Sequence, residues 1–97
     1  MCKILVIDDE KVIINMLQKL LEMHGHDVDT AEDGGEGIQK FDSDRFDLVI
    51  TDIFMPGVDG NSVAKHIRNS DKKYVPVIGM SGTPWAFEDN SFNIAQS

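Results

Sequence analysis

Ninety-seven residues form one domain, near the low end of what buries a self-sufficient core. A formal charge of −8 and a pI of about 4.6 argue against direct nucleic-acid binding and against adsorption to an anionic membrane, since both need clustered cations. Cys2 is the only cysteine, which excludes an internal disulfide framework or a thiolate metal site and makes a cytosolic setting the default. No apolar run approaches a membrane span, and charges at positions 8 to 11 break any signal-peptide pattern.

Lys3-Ile4-Leu5-Val6-Ile7 is a short β-rich apolar run that ends on Asp8-Asp9-Glu10, the pattern of a strand buried on both faces. From Lys11 to His24, Val12, Ile13, Met16, Leu17, Leu20 and Leu21 recur at three- and four-residue spacing. They predict an amphipathic helix with Met16 in the core. Asp9 and Glu10 precede it, where negative charge suits the helix dipole. Gly25 is its expected C′ residue. His26 to Ala31 reads as a weaker strand at a sheet edge. Asp33-Gly34-Gly35 then turns into a short helix over about Glu36 to Ser43, with Ile38 and Phe41 facing in.

Leu48-Val49-Ile50 begins the third strand, which ends on the lone carboxylate of Asp52 and runs into a loop marked by Pro56, Gly57 and Gly60. Asn61 to Asn69 is the next expected helix. Val75 to Met80 is the next strand, with Pro76 suited to its start. Ser81-Gly82-Thr83-Pro84 is a loop, and Trp85 to Ser97 is expected to end as a helix. Strands and helices alternate, which predicts a parallel sheet with helices on both faces and right-handed crossovers.

The strands of such a sheet all point their C-terminal ends one way. Asp8 and Asp9 end the first strand, Asp52 the third and Ser81 the fourth. They share a crevice if the first and third strands are neighbours, as at a topological switch point. Crowded carboxylates must share protons or bind a cation. Hard oxygen ligands without His or Cys favour Mg²⁺. A metal-bound Asp52 would then be a nucleophile toward a phosphoryl group. His24, His26 and His66 are not spaced for a shared metal.

These motifs resemble the receiver domain of bacterial two-component response regulators. The matching stretches are Ile4 to Glu10, Asp47 to Gly60 and Pro76 to Gly82. The resemblance implies a flavodoxin-like (CheY-like) doubly wound α/β sheet in the order 2-1-3-4-5, and a cytoplasmic protein. It makes Asp52 the phosphoacceptor, with Mg²⁺ held by Asp9, by Asp8 through water and by the backbone carbonyl of Phe54. Ser81 would hydrogen-bond a phosphoryl oxygen. The implied partner is a histidine kinase or a phosphotransfer protein that donates from phosphohistidine.

Family members also carry a fifth strand bearing a lysine and an aromatic switch residue, followed by a helix. Residues 1–97 are therefore expected to be a C-terminally incomplete receiver domain, truncated after the fourth strand and part of the fourth helix. The bared edge of the strand at 75–80 predicts a homodimer or larger assembly through that edge. The competing function is a docking or dimerisation fragment that cannot switch without the lysine and the aromatic. A hydrolase with an aspartate nucleophile fits less well, because it wants two aspartates one residue apart where Asp8 and Asp9 are adjacent. A flavodoxin-type cofactor site would need a Ser/Thr- or Gly-rich phosphate loop where this chain has acids.

Overall fold

The computed structural model describes residues 2–80 and the backbone of 94–96. Five strands and three helices are ordered β1 (Lys3–Ile7), α1 (Lys11–Met23), β2 (Asp27–Ala31), α2 (Gly34–Ser43), β3 (Leu48–Asp52), α3 (Gly60–Arg68), β4 (Val77–Met80) and β5 (Ile94–Gln96). The sheet is parallel, in the order β2-β1-β3-β4-β5. The doubly wound, flavodoxin-like fold is the expected one, and β2 lies at the edge.

The sheet goes one short strand further than the sequence suggests. Ile94, Ala95 and Gln96 pair with Ile78, Gly79 and Met80, where a helical ending was expected. Three residues are too few to display a period of two, so nothing in their sequence announces a strand. Their backbone groups complete the ladder of β4. The edge expected to stay open is therefore paired over residues 78–80, which removes the argument for dimerisation through it. The Ser81 to Trp85 segment lies outside the described residues.

Strand β1 alternates between two cores. Leu5 and Ile7 face a large one completed by Phe41, Val49, Val63, Ile67 and Val77. Ile4 and Val6 face a smaller one with Val28, against which Leu17, Leu21, Leu48 and Ile50 pack. Every residue from Ile4 to Ile7 is buried, which is why the strand reads as a continuous apolar run. On the larger side α2 packs on β1 and β2, and α3 packs on β3 and α2.

The helix ends are chemically marked. Asp33 caps α2 by accepting from the backbone N–H of Glu36 at 2.7 Å, and Asp59 caps α3 by accepting from that of Ser62 at 2.9 Å. Both are ordinary N-cap contacts. Gly25, at φ +85°, ends α1. Its N–H donates to Glu22 O at 3.0 Å, and that of His26 donates to Leu21 O at 3.2 Å. This is a Schellman closure that a glycine adopts without steric cost.

Met16 is not in the core. It is 56% exposed, in a stripe with Val12, Leu20 and Met23. The apolar arc of α1 is wider than the sheet can cover. At about 100° per residue, Ile13, Ile14, Leu17 and Leu21 share the inward arc and Met16 falls behind it. Ile14, absent from the three-and-four pattern, is the helix's buried residue. Ile14→Ala should therefore cost about 2–5 kcal/mol. Met16→Ala should stay within about 0.5 kcal/mol. Urea unfolding of the two variants checks the orientation, and a reversed order would refute it.

Candidate functional site

Register brings the acids together. Ile7 stands beside Thr51 in the β1–β3 ladder, and beside Ala31 in the β1–β2 ladder. The next residues, Asp8 and Asp52, therefore leave neighbouring strands at the same level. The backbone N–H of Asp8 donates to Ala31 O at 3.1 Å, and that of Glu10 donates to Asp8 Oδ1 at 3.0 Å. These bonds hold the turn that carries Asp8 and Asp9 into α1. One carboxylate oxygen from each of Asp8, Asp9 and Asp52 lies within 4.8 Å of the others.

The backbone beneath Asp52 is equally constrained. Thr51 is fully buried, and its hydroxyl donates to the Asp52 carbonyl at 3.0 Å. The N–H of Ile53 donates to Met80 O at 3.1 Å, and that of Gly60 donates to Ile53 O at 3.0 Å. A Cβ on Gly60 would stand 2.2 Å from the Asp52 carbonyl oxygen, so α3 starts directly against the Asp52 peptide. The sequence marks Gly60 only as a turn residue. Its position between the cap Asp59 and the apolar periodicity of α3 is the signal that a helix begins there.

Crowding and burial act together on these acids. Asp8 is only 4% exposed. Burial pushes its carboxyl up to about 6, opposed by the Glu10 N–H and reinforced by the charges of Asp52 and Asp9. Burial also raises Asp52, with the Asp9 charge adding to it, while the amides of Ile53 and Phe54 favour its ionised form. Two carboxylates about 5 Å apart repel by roughly 3 kcal/mol at an effective dielectric near 20. Oxygen-only ligands in this number fit a small hard divalent cation such as Mg²⁺, which keeps part of its water shell.

The structure thus unites Asp8, Asp9 and Asp52, three of the five site residues expected from the sequence. Phe54 lies two residues past the end of β3 and is 61% exposed. Only its backbone carbonyl would be a candidate ligand. Ser81 falls outside the described residues.

A 2-1-3-4-5 parallel sheet with an acidic, cation-fitting cluster at the ends of its central strands defines a signalling domain of the phosphoacceptor type. The chain belongs to the response regulator receiver domain family, whose pattern matches residues 4–89. This places it in two-component signalling.

It is similar to the alkaline phosphatase synthesis transcriptional regulatory protein PhoP of Bacillus subtilis, with 38% identity over 86 residues, 89% of this chain and 35% of that protein. It also resembles the transcriptional regulatory protein ResD of the same organism, at 43% identity over 78% of this chain and 31% of that one. The chain thus spans about a third of the length of these relatives. Among solved structures, the response regulator TrrA from Thermotoga maritima, in complex with Mg²⁺-BeF, superposes with a TM-score of 0.89 at 39% identity. That match covers 99% of this chain and 85% of the other. The chemotaxis protein CheY4 of Vibrio cholerae gives a TM-score of 0.81 at 34% identity, over 88% of this chain and 73% of that one.

The raised carboxyls make the metal-free protein sensitive to pH. Folded Asp8 keeps a proton that the unfolded chain releases between 3.8 and about 6. Its contribution to stability is therefore complete below 3.8 and lost as pH rises through about 6. The metal-free melting temperature should rise as pH falls from about 6.5 to 4.5, and Asp8→Asn should raise it at the upper pH and flatten the dependence. Thermal unfolding in chelator checks this. A melting temperature that falls over the same interval in the parent chain would refute the strain assigned to Asp8.

Proposed function

We propose that residues 1–97 act as one receiver unit that accepts a phosphoryl group on Asp52. The donor is the phosphohistidine of a histidine kinase or phosphotransfer protein. The observation that carries this reading is the convergence of Asp8, Asp9 and Asp52 within 4.8 Å at the end of a sheet of this topology. A carboxylate oxygen of Asp52 attacks phosphorus, the bond from phosphorus to the imidazole nitrogen breaks, and the electron pair stays with the departing imidazole. The product is an acyl phosphate on Asp52.

In this reading Asp9 and Asp52 would hold Mg²⁺ directly, Asp8 would hold it through water, and the Phe54 carbonyl would complete the protein's share. Bound there, the ion would neutralise the negative charge that acceptor and phosphoryl oxygens bring together. The chain's own part is positional. The Gly60 and Thr51 contacts fix the Asp52 backbone, and the Glu10 amide orients Asp8. Ser81 is assigned the hydrogen bond to a phosphoryl oxygen. The chain assists its own modification and is consumed once per transfer, so it is not a turnover enzyme.

A cytoplasmic location goes with a kinase donor. Among the described residues, no helix is long and apolar enough to cross a membrane. The donor must reach the strand ends where α1 begins, and the exposed stripe of Val12, Met16 and Leu20 starts there. It offers an apolar surface to a helical partner.

Incubation with a small acyl-phosphate donor and Mg²⁺ should add one phosphoryl mass to the intact chain. Asp52→Asn or excess chelator should abolish the addition, with a rate loss of at least about a hundredfold. Modification that persists in Asp52→Asn would refute the assignment of the acceptor.

A further inference from the structure

Helix α2 contains three glycines in its first turn, and they meet different surroundings. A Cβ on Gly35 would touch only Asp33 Oδ1, at 3.4 Å, an ordinary contact. A Cβ on Gly37 would stand 2.4 Å from Ile7 Cδ1, a clash with the end of a core side chain. A Cβ on Gly34 would stand 2.1 Å from the carbonyl oxygen of Val58 and 2.9 Å from both its carbonyl carbon and its Cβ. Those are mainly backbone atoms, so no change of rotamer relieves the overlap. Either α2 or the loop between β3 and α3 must move.

The helix is poorly placed to yield. Asp33 caps it, Gly37 lies against Ile7, and Phe41 is fully buried in the larger core. The loop is pinned at both ends, by the Ile53 N–H on Met80 O and by the Gly60 N–H on Ile53 O. A push at Val58 is therefore absorbed between the pins, in residues 54–59. That span includes Phe54 and Gly57, the latter at φ +77°.

We propose that Gly34 is a positioning residue for the phosphoacceptor site. By bringing the start of α2 against the Val58 carbonyl, it sets the path of the loop and with it the backbone of Phe54, two residues after Asp52. The proposal rests on the reading above in which the Phe54 carbonyl and the three acids take Mg²⁺.

The test compares the parent chain with Gly34→Ala, Gly35→Ala and Gly37→Ala. It follows thermal unfolding, the amide NMR signals of residues 53–59 without metal, and the Mg²⁺ affinity from titration of those signals. Alanine is the better helix former, so Gly35→Ala should melt no lower than the parent and bind Mg²⁺ equally well. Gly37→Ala should lower the melting temperature and leave the metal-free signals of residues 54–58 in place, because its overlap is with the Ile7 side chain and not with the loop. Gly34→Ala should shift the signals of residues 54–58 in the metal-free protein and weaken Mg²⁺ by about tenfold or more, as loss of an outer support for a ligand does.

Should Gly34→Ala fail to fold, Val58→Gly frees the loop without overpacking anything and should weaken Mg²⁺ in the same direction, by at least about threefold. The proposal is overturned if the folded Gly34→Ala, or Val58→Gly in its place, binds as the parent does, or if Gly37→Ala shifts the metal-free signals of residues 54–58 as much. A parent chain that takes no Mg²⁺ overturns the metal reading itself and this inference with it. Parental binding with an unaffected Gly34→Ala overturns this inference alone.

Discussion

Three carboxylates held within 4.8 Å of one another would separate in a flexible chain, and the rest of the structure is what prevents it. Asp8 and Asp52 leave adjacent strands whose register is set by residues buried on both faces. Slipping β1 against β3 by one residue would exchange Leu5 and Ile7 with Ile4 and Val6 between two cores of unequal size. The hydrophobic drive that seats those four side chains is several times the repulsion between a pair of charges. The site is therefore an electrostatic cost imposed by the packing, and a cation is what would relieve it.

Beyond the strand ends, the constraint passes to glycines. Gly60 lets α3 start against the Asp52 peptide, and Gly34 lets α2 start against the Val58 carbonyl. Both helices thus press on the segment that follows the acceptor, and both are capped by aspartates, Asp59 and Asp33, that hold their first turns in place. These contacts tie the 53–59 loop to the Asp52 peptide through backbone atoms, and such contacts cannot relax by side-chain rotation.

The two sides of the sheet carry unequal loads. The side under α2 and α3 holds the larger core, with Phe41 at its centre. The side under α1 holds Ile4, Val6 and Val28, with partly exposed neighbours. Helix α1 buries one arc on the sheet and leaves Val12, Met16, Leu20 and Met23 in solvent. An apolar stripe of this kind reads as a contact surface more readily than as a flaw in the core.

Much of this was legible in the residues. Continuous apolar runs ending on acids determined the buried strands and their polarity. The alternation of strands with helical periods determined a parallel, doubly wound sheet, and the Asp8-Asp9 and Asp52 motifs determined which ends matter. Tertiary structure alone decided the rest. Which half of the wide arc on α1 faces inward depends on where the sheet lies, so Met16 and Ile14 could not be told apart by spacing. The strand at 94–96 exists because the edge of β4 offers backbone partners, a cue absent from its three residues. Whether Gly34, Gly35 or Gly37 is sterically required depends on what stands opposite each. A glycine in a sequence records only the missing Cβ, and the atom that would have met it belongs to a distant part of the chain.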